Sequence, residues 1–427
     1  MSTLIGAPAE GDQRDTAAAT HGRRLAPVVL ASLTLGLLAA ILLVVLPFGR
    51  ATDSAVTGAV LCGFATGLAT LAVFTTRFTD QPQRWASVPA LVMGAGGLLL
   101  VAFGSSIQPA LNWIWPPVML AVSIFMLVRV RKSVGARWVL YPVIGMLALA
   151  SVGAGYETMG EAATSQAMPG QLVDVGDHRL HLYCAGSGGP TVVLEAGGGA
   201  AASDLELLRE DVAGDTRVCV YDRAGRGWSE PAATPPHGIQ IATELHTLLQ
   251  RAHVPGPYVL AGHSFGGLYV QMYAARYPRE VAGMVLIDST APNAAAAAYE
   301  PHSFVLDRVF ALVSATARLG LGELFGGTAR DLRSSIDEYA DASDAVREAA
   351  SLTDFGDKPL VVLTAGIGND AAWFAAQDRM AAVSTDSVHR TVEDASHQTL
   401  VSDRGAVTAQ AILDVVSAVR SGQPLAK

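Results

Sequence analysis

One serine stands in a setting where its hydroxyl could act as a nucleophile. Ser264 is the centre of a Gly-x-Ser-x-Gly pattern that runs from Gly262 to Gly266. An apolar run typical of a buried strand, residues 257–261, precedes the pattern, and an amphipathic helical stretch, residues 267–278, follows it. A sharp turn between strand and helix exposes the hydroxyl of its central residue, and glycine is needed where the two elements converge. The spacing therefore predicts a nucleophilic serine.

Three other segments resemble motifs that accompany such a serine in a known enzyme family. Residues 192–199 form an apolar run ending in three glycines, residues 221–229 look like an Asp-x-Arg-Gly-x-Gly-x-Ser loop, and residues 395–397 end in histidine. Together they make the chain similar to the serine-nucleophile, esterase-like and lipase-like branch of the α/β-hydrolase superfamily. The resemblance covers residues 171 to about 420. It implies an α/β-hydrolase fold with an eight-stranded, mostly parallel sheet and a helical lid, and the alternation of β-rich and helical runs agrees.

A serine hydroxyl attacks an ester when a base takes its proton and an acid orients that base. The resemblance implies that His397 is the base, because it follows the last predicted strand. His263 is expected to point away from the hydroxyl and to have a structural or substrate-contact role. Asp288 and Asp370 both fit the chain order of serine, acid and histidine. The usual acid position is occupied by Asn369, so Asp288 and Asp370 remain alternatives.

The oxygen anion of a tetrahedral intermediate needs two N–H groups that point at it. The resemblance implies that Phe265, the residue after the nucleophile, supplies one and that Gly198 supplies the other. Ala196 stands where the family has histidine, so different hydrogen bonding is expected in this turn.

The predicted sixth and seventh strands are separated by residues 289–358, far more than an ordinary connection. In the family this interval forms a helical lid over the serine. Helical patterns over residues 304–319 and 329–350 fit that arrangement.

Three cysteines are present in the chain. Cys184 and Cys219 lie in predicted strands that are neighbours in this family's fold, which implies a disulfide between them and suits an oxidising exterior. No cysteine has metal-ligand spacing, and no Gly-x-Gly-x-x-Gly turn opens a strand–helix unit. We therefore expect no metal and no cofactor.

The rest of the chain differs in composition from this predicted catalytic domain. Of the 427 residues, 51% are hydrophobic and only 16% are charged, and the mean hydropathy is +0.35. Residues 1–169 carry a net charge of +3 and residues 170–427 carry −12. These values exclude a disordered protein. The sequence has no stripe of basic residues of the kind that binds nucleic acid. The composition and charge values favour an apolar membrane part joined to an acidic globular part.

Five apolar runs fill residues 25–155, namely residues 25–48, 55–74, 86–104, 113–128 and 138–155. A helix that crosses a bilayer needs about 20 apolar residues, and the first three runs meet that length. The last two contain prolines, which membrane helices tolerate. Five membrane helices that anchor the chain in a lipid bilayer are predicted.

The basic residues around these runs predict an orientation. Nine lie in the N-terminal tail and in the second and fourth connections, whereas one, Arg50, lies in the odd-numbered connections. The nine are Arg14, Arg23, Arg24, Arg77, Arg84, Arg129, Arg131, Lys132 and Arg137. Because positive loops stay in the cytoplasm, the N-terminus is expected there and the catalytic domain outside the cell membrane.

The predicted organisation is a tail over residues 1–24, a membrane domain over 25–155, a linker over 156–170 and a hydrolase domain over 171–427. The function expected is a membrane-anchored serine hydrolase that cleaves carboxylic esters, with lipid-like esters favoured by the anchor. A peptidase or perhydrolase could use the same residues, and a non-catalytic receptor or scaffold with a hydrolase-like domain is the alternative from another class. Epoxide hydrolases are disfavoured, because those relatives carry aspartate in place of Ser264.

Overall fold

The chain divides into a helical unit, Met1–Ala163 with Phe304–Ala329, and an α/β unit, Thr164–Ser303 with Arg330–Lys427. A computed structural model describes residues 11–45, 53–104, 107–131, 137–166, 168–232, 237–292, 309, 312–313, 335, 338–339 and 342–426.

The helical unit contains five long apolar helices. They are α1 (Gly11–Val45), α2 (Asp53–Phe78), α3 (Ser87–Phe103), α4 (Gln108–Val130) and α5 (Arg137–Gln166). Their apolar stretches contain between 20 and 25 residues, which is long enough to cross a bilayer. The described residues thus contain the five helices that hydropathy predicts.

Helix α5 continues beyond its apolar stretch and ends at Gln166. Most of the predicted linker, residues 156–170, is therefore helical. The physical reason is composition. Glutamate, alanine, methionine and glutamine are good helix formers, and the first proline within residues 156–170 is Pro169. Polarity alone does not end a helix.

The α/β unit is organised around one sheet of eight strands. They are β1 (Gln171–Asp174), β2 (Arg179–Ala185), β3 (Thr191–Glu195), β4 (Val218–Tyr221), β5 (Tyr258–His263), β6 (Val281–Ile287), β7 (Leu360–Ile367) and β8 (Ser387–Ser396). The strand order is β1-β2-β4-β3-β5-β6-β7-β8, with β1–β2 and β2–β4 antiparallel and the other pairs parallel. The predicted eight-stranded, mostly parallel sheet is confirmed.

Helices cover both faces of the sheet. They are α6 (Glu206–Ala213), α7 (Gly238–Arg251), α8 (Gly266–Arg276), α9 (Ala342–Ala349), α10 (Ala371–Ala381) and α11 (Gly405–Ser421). Successive strand residues enter opposite cores: Val193 and Leu260 pack with α7 to α10, whereas Val192 and Val259 pack with α6 and α11. This burial on both faces explains the continuous apolar runs of the parallel strands.

A disulfide joins strands β2 and β4. Cys184 and Cys219 are directly opposite in the antiparallel register, with Cα atoms 4.0 Å apart. The structure therefore pairs the two cysteines that the sequence comparison with the family singled out.

The predicted lid interval, residues 289–358, lies largely outside the described residues. Within it, Ser335, Glu338 and Tyr339 are helical and α9 is complete. These residues belong to the α/β unit.

Candidate active site

The carboxyl ends of four parallel strands place the predicted site residues along one edge of the sheet. Strand β3 ends at Glu195, just before the glycine run, and β5 ends at His263, just before Ser264. Strand β6 ends at Ile287, just before Asp288, and β8 ends just before His397. This edge is where open α/β sheets bind their ligands.

Ser264 occupies a strained turn between β5 and α8. Its φ is +54°, a region that residues other than glycine rarely adopt and that costs about 1–3 kcal/mol. The Ser264 N–H donates to the carbonyl of Ile287 at 3.1 Å, and the Thr290 N–H donates to the carbonyl of Ser264 at 3.1 Å. These bonds flank Asp288, so they tie the serine turn to the loop that carries Asp288.

The imidazole of His397 is oriented by a carboxylate. Its Nδ1 lies 2.7 Å from Asp288 Oδ2. Because an ionised carboxylate can only accept, Nδ1 carries the proton and Nε2 is left able to accept one. The Asp288 side chain is fully buried, whereas 35% of the His397 side chain is exposed. The Asp288 carboxylate is thus shielded from water, whereas the imidazole of His397 is partly accessible.

Four further hydrogen bonds hold the Asp288 carboxylate. Oδ1 accepts from the Trp373 indole at 2.8 Å, from the Ala365 N–H at 3.2 Å and from the Asn369 amide at 3.0 Å, and this amide also reaches Oδ2 at 3.3 Å. Burial raises the pKa of Asp288, but the bonds from His397 and Trp373 outweigh it and the pKa is lowered. The carboxylate therefore stays ionised at neutral pH.

Asp370 has a different local role. It is the residue before α10, and its carboxylate accepts from the Trp373 N–H at 2.9 Å, which caps the helix. Of the two aspartates, the structure brings Asp288 to His397. Asn369, at the usual acid position, donates to Asp288 instead.

His263 packs against His397. The two rings lie 4.6 Å apart between centroids, and His263 Nε2 donates to the His397 carbonyl at 3.0 Å. Burial, followed by the nearby His397, lowers the pKa of His263 to about 4. His263 is therefore neutral near pH 7, and it supports the loop that carries His397.

The buried neutral state of His263 predicts loss of stability in acid. The unfolded chain binds a proton on this residue below its ordinary pKa of 6.5, whereas the folded chain binds it only near pH 4. The free energy of unfolding therefore falls as pH drops from 6.5 to about 4, by about 3 kcal/mol for this group. The stability difference between wild type and His263→Gln is expected to shrink by that amount between pH 7 and pH 4.

Thermal unfolding of the detergent-solubilised full chain at several pH values measures this effect. His246→Gln is the control, because that histidine is partly exposed on α7. A stability difference for His263→Gln that is the same at every pH would contradict the assignment.

The glycine run after β3 lies against the serine turn. A Cβ on Gly197 would come within 3.2 Å of the Ser264 Cβ, and one on Gly198 would come within 2.9 Å of the Phe265 ring. Phe265 directly precedes α8, so its N–H belongs to the positive end of that helix. The Arg223 guanidinium donates to the Gly197 carbonyl at 2.7 Å.

Two residues of this region have contacts that local sequence patterns did not reveal. Arg223 lies in the loop at 221–229, directly after Asp222, so its place in that loop was an available signal. Trp373 carries no such signal, because only the packing of α10 brings its indole to Asp288. The described residues contain no group of three or more His, Cys, Asp or Glu side chains that could hold a metal ion.

Comparison with known proteins identifies the family. The model of the alpha/beta hydrolase family matches residues 192–411, which is more than half of the chain. The chain belongs to the alpha/beta hydrolase family. The match begins in β3 and ends in α11, so it includes all four strand ends described above.

Individual relatives resemble parts of this chain. An uncharacterized protein of Schizosaccharomyces pombe is 38% identical over 28% of this chain and 28% of its own length. The uncharacterized protein YqjL of Bacillus subtilis is 32% identical over 27% of this chain and 46% of its own length. The chain thus spans less than half the length of these relatives. The solved Cif epoxide hydrolase of Acinetobacter nosocomialis is 15% identical, with a TM-score of 0.50 over 62% of this chain and 96% of that chain, which indicates a shared fold.

Proposed function

We propose that this hydrolase is a membrane-anchored serine hydrolase that cleaves carboxylic esters through an acyl-enzyme. The observation that carries the proposal is the hydrogen bond from His397 to the buried Asp288 carboxylate, next to the strained turn of Ser264. A nucleophile, a base and an acid in this arrangement perform acyl transfer. Epoxide hydrolases with this fold need aspartate at the nucleophile position, which Ser264 occupies.

Ser264 Oγ attacks the acyl carbon while its proton passes to His397 Nε2. Asp288 stabilises the imidazolium that forms, because its ionised carboxylate is hydrogen bonded to Nδ1. The N–H groups of Phe265 and Gly198 stabilise the oxygen anion of the tetrahedral intermediate. His397 then gives its proton to the departing alcohol, and a water molecule activated by the same residue releases the carboxylic acid and restores Ser264.

The helical unit supports the membrane part of the proposal. Its five apolar helices are long enough to cross a bilayer, and the nine-to-one charge asymmetry favours a cytoplasmic N-terminus. An odd number of spans then supports a location of the α/β unit outside, where the disulfide of Cys184 and Cys219 would persist. A catalytic domain tethered to a bilayer meets amphiphilic esters at high local concentration, so lipid-like esters are the proposed substrate class.

Fluorophosphonate labelling of the full chain tests the proposal. Wild type is expected to be labelled, whereas Ser264→Ala and His397→Ala are not. Ser402→Ala is the matched control, because this exposed serine hydroxyl bonds only the local Gln398 carbonyl. Labelled wild type should also hydrolyse p-nitrophenyl esters, and activity should rise with acyl chain length.

Three other outcomes would each overturn a different part of the proposal. Folded wild-type protein that is not labelled would overturn the serine hydrolase. Labelling by a membrane-impermeant probe only after cell lysis would retain the enzyme and overturn the proposed outward orientation. Activity that falls steadily with acyl chain length would overturn the lipid-like substrate class.

A further inference from the structure

A buried ionic cluster lies behind the glycine run and takes no part in the proposed chemistry. Arg223 pairs with Glu195 and with Glu338, and the exposed fractions of the three side chains are 2%, 1% and 6%. Glu195 is the last residue of β3, whereas Glu338 comes from the interval between β6 and β7. A residue of the predicted lid interval is therefore fixed to the strand end that carries the turn.

The guanidinium of Arg223 uses all five of its N–H groups. Nη1 donates to Glu195 Oε1 at 2.7 Å and to the Ala196 carbonyl at 2.8 Å. Nη2 donates to the Gly197 carbonyl at 2.7 Å and to Glu338 Oε2 at 3.0 Å, and Nε donates to Glu338 Oε1 at 2.7 Å. The bidentate pair with Glu338 thus fixes the orientation of the guanidinium plane of Arg223 relative to the glycine run.

The Gly197 carbonyl accepts two hydrogen bonds, from Arg223 at 2.7 Å and from the Ala200 N–H at 3.1 Å, and its orientation sets that of the Gly198 N–H. The Gly197 carbonyl and the Gly198 N–H belong to one trans peptide unit, so they point in opposite directions. Because Arg223 holds the carbonyl on one side, the N–H faces the other side. The glycine run itself packs on Ser264 and Phe265.

Glu338 also holds the far end of the same turn. Its Oε2 accepts from the Gly199 N–H at 2.8 Å. One residue therefore binds the peptide after Gly198 directly and the peptide before Gly198 through Arg223. A second contact from the same interval, Arg226 Nη2 to Ser335 Oγ at 2.8 Å, lies one helical turn away and supports this placement.

We propose that Glu338 is a positioning residue for the oxyanion turn, which it holds through Arg223 and the Gly199 N–H so that the Gly198 N–H faces the reacting oxygen. The inference rests on the proposed serine hydrolase function. It makes the oxyanion turn dependent on a residue distant in sequence, from the predicted lid interval.

The test compares Glu338→Gln and Glu338→Ala with wild type as full chains in detergent. The measurements are kcat and KM for a p-nitrophenyl ester, and the inhibition constant of an aliphatic trifluoromethyl ketone. This ketone forms an oxygen anion when serine adds to it. Its affinity therefore measures how well the N–H groups of the turn stabilise that anion. We expect kcat to fall about 10- to 100-fold, with KM within about threefold, and the inhibition constant to rise as kcat/KM falls.

Glu348→Gln is the matched control. Glu348, on α9, also uses a carboxylate to accept a backbone N–H of another element, from Ile239 at 2.8 Å, but it does not contact the glycine run. It is expected to change kcat and the inhibition constant less than about threefold.

Three results would overturn the inference. If the wild type is active and the Glu338 variants behave like Glu348→Gln, the inference is overturned and the proposed function is retained. Lower thermal stability without a matched rise in the inhibition constant would also overturn it, because it would show only a structural role. A folded wild type that neither reacts with fluorophosphonate nor hydrolyses esters would overturn the proposed function together with the inference.

Discussion

Replacing Asp288 by asparagine is expected to lower kcat for ester hydrolysis by about 10⁴-fold, with KM within about threefold. An asparagine amide can offer its NH2 group to His397 Nδ1, which then keeps the ring proton on Nε2, where it cannot accept the serine proton. The variant also lacks the negative charge that stabilises the imidazolium. Steady-state kinetics of the full chain with a p-nitrophenyl ester measure this effect.

Asp370→Asn is the matched control for this prediction. Asparagine caps a helix as well as aspartate does, so the bond to the Trp373 N–H at the start of α10 can be kept. We expect kcat to change by less than about twofold. A large loss in Asp370→Asn, combined with substantial activity in Asp288→Asn, would show that the acid role belongs to Asp370.

Gly266→Ala is expected to destabilise the α/β unit by about 4 kcal/mol and to abolish ester hydrolysis. A Cβ at this position would overlap the carbonyl oxygen of Glu195 and come within 2.7 Å of that of Ala196. Both contacts are with backbone, so no side-chain rotation can relieve them. The strain would fall on the junction of β3, β5 and α8, which holds both Ser264 and the glycine run.

Thermal unfolding measures the expected loss, which corresponds to roughly 10 °C in a domain of this size. Gly214→Ala is the control, because a Cβ there meets nothing within 4 Å and its φ of −65° suits any residue. It should leave both stability and kcat close to wild type. An active Gly266→Ala protein with unchanged stability would contradict the described turn.

The resemblance to a family and the fold it implies depend on short-range patterns. Ser264 lies between β5 and α8 because an apolar run, two glycines and an amphipathic stretch are contiguous in the chain. The eight strands likewise follow local apolar runs. Strand β8 is the exception at its end: it continues through polar residues to Ser396, since pairing with β7 at Ile367 sustains it.

The five apolar helices are also a consequence of sequence alone. The thickness of a bilayer sets a length of about 20 apolar residues, and hydropathy along the chain reveals such lengths directly. What hydropathy missed is the continuation of α5 to Gln166, because helix propensity rather than polarity decides where a helix ends.

The family, the sheet, the apolar helices, and the serine and histidine proposed as nucleophile and base all follow from local patterns in the chain. Which aspartate meets His397 does not, because Asp288 and Asp370 satisfy the same chain order. The long-range packing of β6, β7 and α10 brings Asp288 to His397, together with Asn369 and Trp373. The contact of Glu338 with Arg223 spans 115 residues. Contacts at that separation depend on how the elements pack, which local patterns do not specify.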